Sequence, residues 1–252
     1  MAAAAGTWAF AFPAVRRMKQ LLLQGGLATD CLQEAMADIE NDEETGSFVI
    51  GRGGYPNKDG IIQCDAAIME GQPGRFGAVA ALPGVGTPLA VARKVMEEAP
   101  HSFLVGDGAV AFAENQGFIV EENNSMMSKH STEAYQEYLE NERMLKKHDT
   151  LGLIALDIYG NITVATGDGD MIMCFCPCFH VILLMKEGMS PMDACQTVVQ
   201  DILQRTGKEN MFELGIIAMN MKGEVGAASS MSFPYCIWSQ GKDVVEQLVH
   251  EA

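Results

Sequence analysis

His148-Asp149-Thr150-Leu151-Gly152, running straight into Leu153-Ile154-Ala155-Leu156, is where this chain of 252 residues changes character. Upstream, from Glu121 to Lys147, Ser, Asn, Glu and Lys dominate, with Tyr135, Tyr138 and Leu139 as the sizeable apolar anchors before Met144, which reads as a surface helix flanked by solvated, cleavable chain. Downstream, the apolar run reads as a buried strand. A hydroxyl residue stands on the seam. If the chain is cut between Asp149 and Thr150, Thr150 becomes an N-terminal residue that carries a nucleophile, Oγ, and a base, its own α-amine. Oγ can attack the Asp149 carbonyl in an N-to-O acyl shift, and water can hydrolyse the resulting ester. The amine so released has an ordinary pKa of about 7.7 to 8.0, so an appreciable fraction is unprotonated at neutral pH. On its own, the string is most simply a polar turn leading into a sheet.

Length and composition suit one sizeable domain or two small ones: 48% of residues are hydrophobic and 20% charged. With 17 Lys and Arg against 33 Asp and Glu, the formal charge is -16, which argues against nucleic acid and anionic membrane as partners. Seven cysteines follow no regular framework, so a reducing compartment is the simpler reading. Cys174-Phe-Cys176-Pro-Cys178 has only His180 as a further ligand type nearby, so buried packing is expected in place of a metal site, and no cofactor is implied. No apolar run approaches the roughly 20 residues needed to span a bilayer. The first residues lack the basic start and long apolar stretch of a secretory signal, so a cytoplasmic location is expected for the chain as given, or a lysosomal one if a leader has been removed.

Working outward, Thr7-Trp8-Ala9-Phe10 reads as a short buried strand or its end. Pro13–Leu23 has helical spacing, with Val15, Met18, Leu22 and Leu23 on one side, and Thr29 or Asp30 can cap a second helix carrying Leu32, Ala35, Met36 and Ile39. Strands are expected at Phe48–Gly51, Ile61–Met69, Ala78–Leu82 and Phe103–Gly106, and helices from Thr87-Pro88 to Pro100 and over Ala109–Asn115. After the seam, Leu151–Asp157 and Ile162–Ala165 form a hairpin around Tyr159-Gly160-Asn161, and Gly167-Asp-Gly-Asp170 is a turn. Helices over Cys174–Lys186 and Ser190–Arg205 precede two strands, Phe212–Asn220 and Glu224–Met231. Mixed strands and helices with hairpins predict an α+β layered fold.

In order along the chain stand Thr7-Trp8, Gly53-Gly54-Tyr-Pro, Asp65-Ala-Ala-Ile-Met-Glu-Gly71, Gly77-Ala-Val, Ala90-Val-Ala-Arg-Lys-Val95, Leu104-Val-Gly106, His148-Asp-Thr-Leu-Gly152, Ala165-Thr-Gly-Asp-Gly-Asp170 and Gly226-Ala-Ala. Together they resemble the glycosylasparaginases, N-terminal nucleophile hydrolases that cleave the amide joining GlcNAc to asparagine. The resemblance implies a four-layer αββα sandwich and self-cleavage of a precursor. Residues 1–149 would then be the α-chain portion and 150–252 the β-chain portion of one domain. It implies Thr150 as nucleophile and Asp149–Thr150 as the scissile bond. Thr166 would help form the oxyanion hole, Gly167 would hold the amino-acid end of the substrate, and Trp8 would lie near the active site. Read as ordinary structure, Trp8 is equally a core residue and Thr166 a strand-end hydroxyl. The implied partner is a small glyco-asparagine substrate, with homo- or hetero-oligomers of α and β chains allowed.

One departure stands against these matches. The family continues from the strand equivalent to Ile162–Ala165 into a Thr-Ser-Thr-x-Gly stretch, then Gly-Arg-x-Gly-Asp-Ser-Pro and a Gly-Ala-Gly segment, before reaching Ala-Thr-Gly-x-Gly-Asp. This chain passes directly from Ala165 to Thr166, which leaves the expected sandwich incomplete. The absent piece carries a second threonine, an arginine for the substrate α-carboxylate, an aspartate for its α-amine and an oxyanion-hole donor. Gly51-Arg52-Gly-Gly lies in the other half and does not replace it. Two other readings therefore stand beside glycosylasparaginase: an isoaspartyl peptidase or L-asparaginase, and an uncut, non-catalytic paralogue or isoform with a binding or regulatory role.

Overall fold

The computed structural model describes residues 1–41, 50–141, 151–166, 175–207, 209 and 211–251, with the side chains of Asn141 and Thr166 outside the description. The chain forms two compact units, one of Met1–Cys31, Leu153–Ile162 and Gly169–Ala252, the other of Leu32–Gly152 and Thr163–Asp168. Each unit draws on both sides of the Asp149–Thr150 junction. The expected turn at 167–170, residues 48–49 of the expected first-half strand and Cys174 lie outside the described residues.

The first unit is built on β1 (Ala3–Thr7), five small residues that are all buried. Alanine has little intrinsic preference for strands, and here the neighbours impose the conformation. β1 lies antiparallel between β5 (Gly152–Leu156) and β9 (Phe233–Ser239), with Ala5 opposite both Ile154 and Ile237, and β10 (Glu246–His250) pairs with β9 on its other side. The strand ends at Thr7, so that Thr7-Trp8-Ala9-Phe10 holds the end of a strand, the second of the two expected readings, and is not a strand of its own. Trp8 turns the chain into a 3-10 turn over Ala9–Ala11 and then into α1 (Phe12–Leu23). α1 packs on β1 and β9 through Ala14, Val15, Met18 and Leu22. Leu23, expected on that face, is 57% exposed because it falls about 100° round the helix from Leu22.

On the other face of β1 and β5, Ala3, Ala5, Ile154 and Leu156 meet Met219 of a hairpin formed by β7 (Gly215–Met219) and β8 (Val225–Ser229). α8 (Pro191–Thr206) covers the far side of that hairpin, and α7 (Pro177–Lys186) packs on α8. Gly226 permits the close approach: a Cβ there would strike the backbone of Pro191 and Met192. Within this unit the order α1, sheet, hairpin sheet, α8 is the expected αββα stack, and the second sheet has two strands among the described residues. β9 and β10 lie beyond Met231, where the expected strands ended.

α2 (Ala28–Glu40) starts before both expected caps. The cap comes from elsewhere: the Ala28 amide donates to Asp157 Oδ2 at 3.1 Å. The same fully buried carboxylate accepts from the Tyr159 and Asn161 amides at Oδ1 and from Asn161 Nδ2 at Oδ2, each at 2.9 Å. One side chain thus ties a helix start to the turn after β5.

In the second unit, β2 (Gln63–Glu70) lies antiparallel to β3 (Phe76–Pro83) and to β6 (Ile162–Thr166), and β4 (Phe103–Val105) runs parallel to β3. α3 (Pro88–Glu98) lies on β2 and β3 through Leu89, Val91, Ala92 and Val95. α4 (Gly106–Asn115) begins three residues earlier than expected. The segment from Glu121 holds α5 (Asn123–Met126) and α6 (Lys129–Asn141), and its first part is tied down, not solvated. Glu121 takes both guanidinium nitrogens of Arg52 at 2.8 and 2.6 Å. Asn123 bonds the Ile62 amide and the Gly60 carbonyl, and Met126 is buried with Ile62 and Cys64. Ser131 Oγ donates to the Gly53 carbonyl at 2.7 Å. Its small polar residues answer the backbone of the 50–62 loop, a use that sequence polarity does not distinguish from exposure.

Among the described cysteines, Cys31, Cys64, Cys195 and Cys236 are buried, whereas Cys176 and Cys178 are exposed, against the expected packing. Cys176 caps α7 in a left-handed conformation, and Pro177 at the first helical position sets Cys178 at the helix start. Among the described residues no group of three or more His, Cys, Asp or Glu side chains could hold a metal ion, and no helix is long and apolar enough to cross a membrane.

Candidate active site

Asp149, Thr150 and Gly167 lie outside the described residues. The chain immediately after Thr150 is firmly held: Leu151 is fully buried and β5 begins at Gly152. Thr166 ends β6, its backbone paired with Ala67 of β2 in the second unit.

Trp8, in the first unit, is the candidate held on several sides by described neighbours. It has φ 66° and ψ 160°, a region almost confined to glycine, and such strain persists only where neighbours impose it. The indole is half-buried and meets Phe233 edge to face, with ring centroids 5.1 Å apart and planes at 86°. Phe233, fully buried, stacks in turn on Tyr235 at 6.1 Å. The Trp8 carbonyl accepts from the Ala11 amide at 3.3 Å and from Cys236 Sγ at 3.7 Å. Burial pushes the Cys236 thiol up to about 11, so it remains a donor at neutral pH. Phe233, Tyr235 and Cys236 all come from β9, a strand that the sequence pattern did not announce. The alternation Phe233, Tyr235, Ile237 was the available signal, and Pro234 obscured it. Pro234 lies one residue beyond Tyr235, the last partner of β1, where a missing amide costs no bond to β1.

Arg52 does not stand in for the substrate-clamping arginine, because its guanidinium is held in the second unit by Glu121 and also donates to the Ser125 carbonyl at 3.1 Å. The pairing holds the Glu121 carboxyl below the usual carboxylate range.

The αββα stack of the first unit, with a threonine two residues ahead of β5 in the sequence, agrees with the layout of an N-terminal nucleophile hydrolase. The sequence model of the asparaginase family (Asparaginase_2) matches residues 4–166 and again residues 152–249. An N(4)-(β-N-acetylglucosaminyl)-L-asparaginase of Elizabethkingia miricola is 31% identical over 275 residues, covering 92% of this chain and 77% of the relative. An isoaspartyl peptidase/L-asparaginase of Mus musculus is 36% identical over 162 residues, covering 61% of this chain and 48% of its own. A plant-type L-asparaginase of Pyrobaculum calidifontis is 38% identical over 163 residues, covering 62% of this chain and 53% of its own. The chain spans about half the length of these last two relatives. It belongs to the asparaginase family of amidohydrolases. The 275-position alignment is longer than the whole chain of 252 residues, so the bacterial relative carries positions that this chain lacks.

Proposed function

We propose that this chain is a threonine amidohydrolase that cleaves the β-amide of GlcNAc-asparagine to aspartate and an aminosugar, after a break at Asp149–Thr150. The observation that carries the reading is the match across 92% of the chain to a relative of that name, and the burial of Leu151 directly after Thr150 agrees with it. Thr150 Oγ attacks the side-chain carbonyl, its α-amine takes the Oγ proton and passes it to the leaving nitrogen, and water then hydrolyses the acyl-threonine ester. Thr166 and Gly167 serve the oxyanion and the amino-acid end of the substrate, and Trp8 forms a wall of the site.

The test is the intact mass of the protein after incubation at neutral pH, beside Thr150→Ala, followed by a GlcNAc-asparagine hydrolysis assay. Two fragments meeting at Asp149/Thr150, absent from the variant, together with hydrolysis, support the proposal. A single uncut, inert chain overturns it, because Thr150 then has no amine base, and the non-catalytic reading takes its place. A second reading, isoaspartyl peptidase or L-asparaginase, is favoured by the higher identity to such enzymes over about three fifths of the chain. β-Aspartyl dipeptides and free asparagine hydrolysed faster than GlcNAc-asparagine would establish it.

A further inference from the structure

We infer that Cys236 is a positioning residue: its thiol, projecting from the middle of β9, holds Trp8 in its strained turn and thereby sets where the indole stands. The consequence for substrate rests on the reading of Trp8 as a wall of the site. The geometry of the clasp does not.

Strand pairing sets Cys236 opposite Gly6, two residues before Trp8, so the thiol lies under the point where the chain leaves the sheet. Sγ reaches two successive carbonyls of that exit, Trp8 at 3.7 Å and Ala9 at 3.9 Å. The Trp8 contact is the shorter, the single S–H proton can be shared with Ala9, and the side chain is fully buried. Glycine at position 6 leaves room for the turn to fold back, since a Cβ there would come within 2.6 Å of Ala11 Cβ and 2.9 Å of Leu153 Cδ2. A backbone with φ 66° and ψ 160° at a tryptophan is unfavourable and needs fixed partners at both ends. The carbonyl is held by Cys236 and the Ala11 amide, and the ring by the edge of Phe233. Two residues of one strand, Phe233 and Cys236, therefore grip the ring and the backbone of the same tryptophan.

Substitution separates donor from volume. Cys236→Ser keeps a donor, Cys236→Val keeps bulk without one, and Cys236→Ala keeps neither. Acrylamide quenching reports Trp8, because the other tryptophan, Trp238, is 2% exposed and is shielded from the quencher. The expected result is quenching near the parent's for Cys236→Ser and clearly stronger for Cys236→Val and Cys236→Ala, with far-UV circular dichroism unchanged. Quenching of Cys236→Val equal to the parent's would overturn the inference, since bulk alone would then suffice. A second arm adds L-aspartate, the product of the proposed reaction. Protection of Trp8 in the parent, weakened several-fold in Cys236→Val and restored in Cys236→Ser, ties the clasp to the site. If the quenching order holds but aspartate protects nothing, the clasp stands and the reading of Trp8 as a substrate wall fails.

Discussion

Glu40 ends α2 and is 3% exposed. Its Oε1 accepts the Leu89 amide at the start of α3, at 3.1 Å, while Oε2 is buried with no hydrogen-bond partner among the described residues. Desolvation pushes the carboxyl from 4.5 up to about 8, with the Leu89 bond pulling weakly the other way. Below pH 4.5 folded and unfolded chains both hold the proton. Between about 4.5 and 8 the folded chain keeps it and the unfolded chain releases it, so stability falls as pH rises through that window and the full cost is present above it. Glu40→Gln retains an acceptor for Leu89 and removes the titration. It is expected to stabilise the protein at pH 8 by roughly 2 to 4 kcal/mol and to change little at pH 4. Urea denaturation at the two pH values checks this, and an equal effect at both would show that burial of the charge is not the cause. No rule applied to the sequence finds such a residue. A glutamate closing an amphipathic helix ahead of an acidic cluster reads as solvated, and what buries it comes from elsewhere in the chain: α3, 49 residues away, and the loop at Gly51-Arg52, whose Arg52 amide bonds the Glu40 carbonyl at 2.9 Å. Thr150 is a different case: the string alone reads as a polar turn, and only the motifs spread along the rest of the chain give its hydroxyl a proposed role.

Among the elements, α1, α2, α3 and α8 announce themselves through apolar spacing of three to four, and the strands β2, β3, β5 and β7 through apolar runs. β1 does not, because alanine gives no β signal, yet it is the strand on which the first unit is organised. It lies between β5 and β9, both of which follow Thr150 in sequence. A break at Asp149–Thr150 would therefore leave a strand of the first piece enclosed by two strands of the second. Residues 1–149 and 150–252 made as separate chains in one cell are expected to co-purify as a single 1:1 complex that parts only in denaturant. Recovery of either piece alone and folded would contradict this. The cap of α2 was equally hidden from sequence, because Asp157 lies 129 residues from the amide it caps. Asp157→Ala removes the acceptor of four buried or part-buried bonds, and a loss of about 3 kcal/mol is expected, from the cost of stranding such donors. Asp157→Asn keeps one accepting oxygen and should lose about half as much. A thermal midpoint unchanged in Asp157→Ala would show that water replaces the carboxylate without cost.

For the molecule as a whole, the family match comes in two pieces that overlap at 152–166, and the alignment to the bacterial glycosylasparaginase has more positions than this chain has residues. The resemblance puts the break between Ala165 and Thr166, at the end of β6, and assigns to the absent stretch the arginine and aspartate that grip the substrate and one oxyanion donor. Each loss has a known scale: a single oxyanion donor is worth roughly 10²- to 10³-fold in rate, and substrate alignment contributes several kcal/mol more. If the stretch is what limits this chain, inserting the relative's extra residues between Ala165 and Thr166 should raise GlcNAc-asparagine hydrolysis by at least about 10²-fold over the chain as it stands. The gain should vanish when Thr150→Ala is added. The resemblance leaves the expected sandwich incomplete without that stretch, so the same insertion is expected to raise the thermal midpoint as well as the rate. A higher midpoint without turnover would mean that the stretch completes the fold while catalysis fails for another cause. Turnover by the uninserted chain equal to that of the graft would mean that substrate is gripped by residues present here.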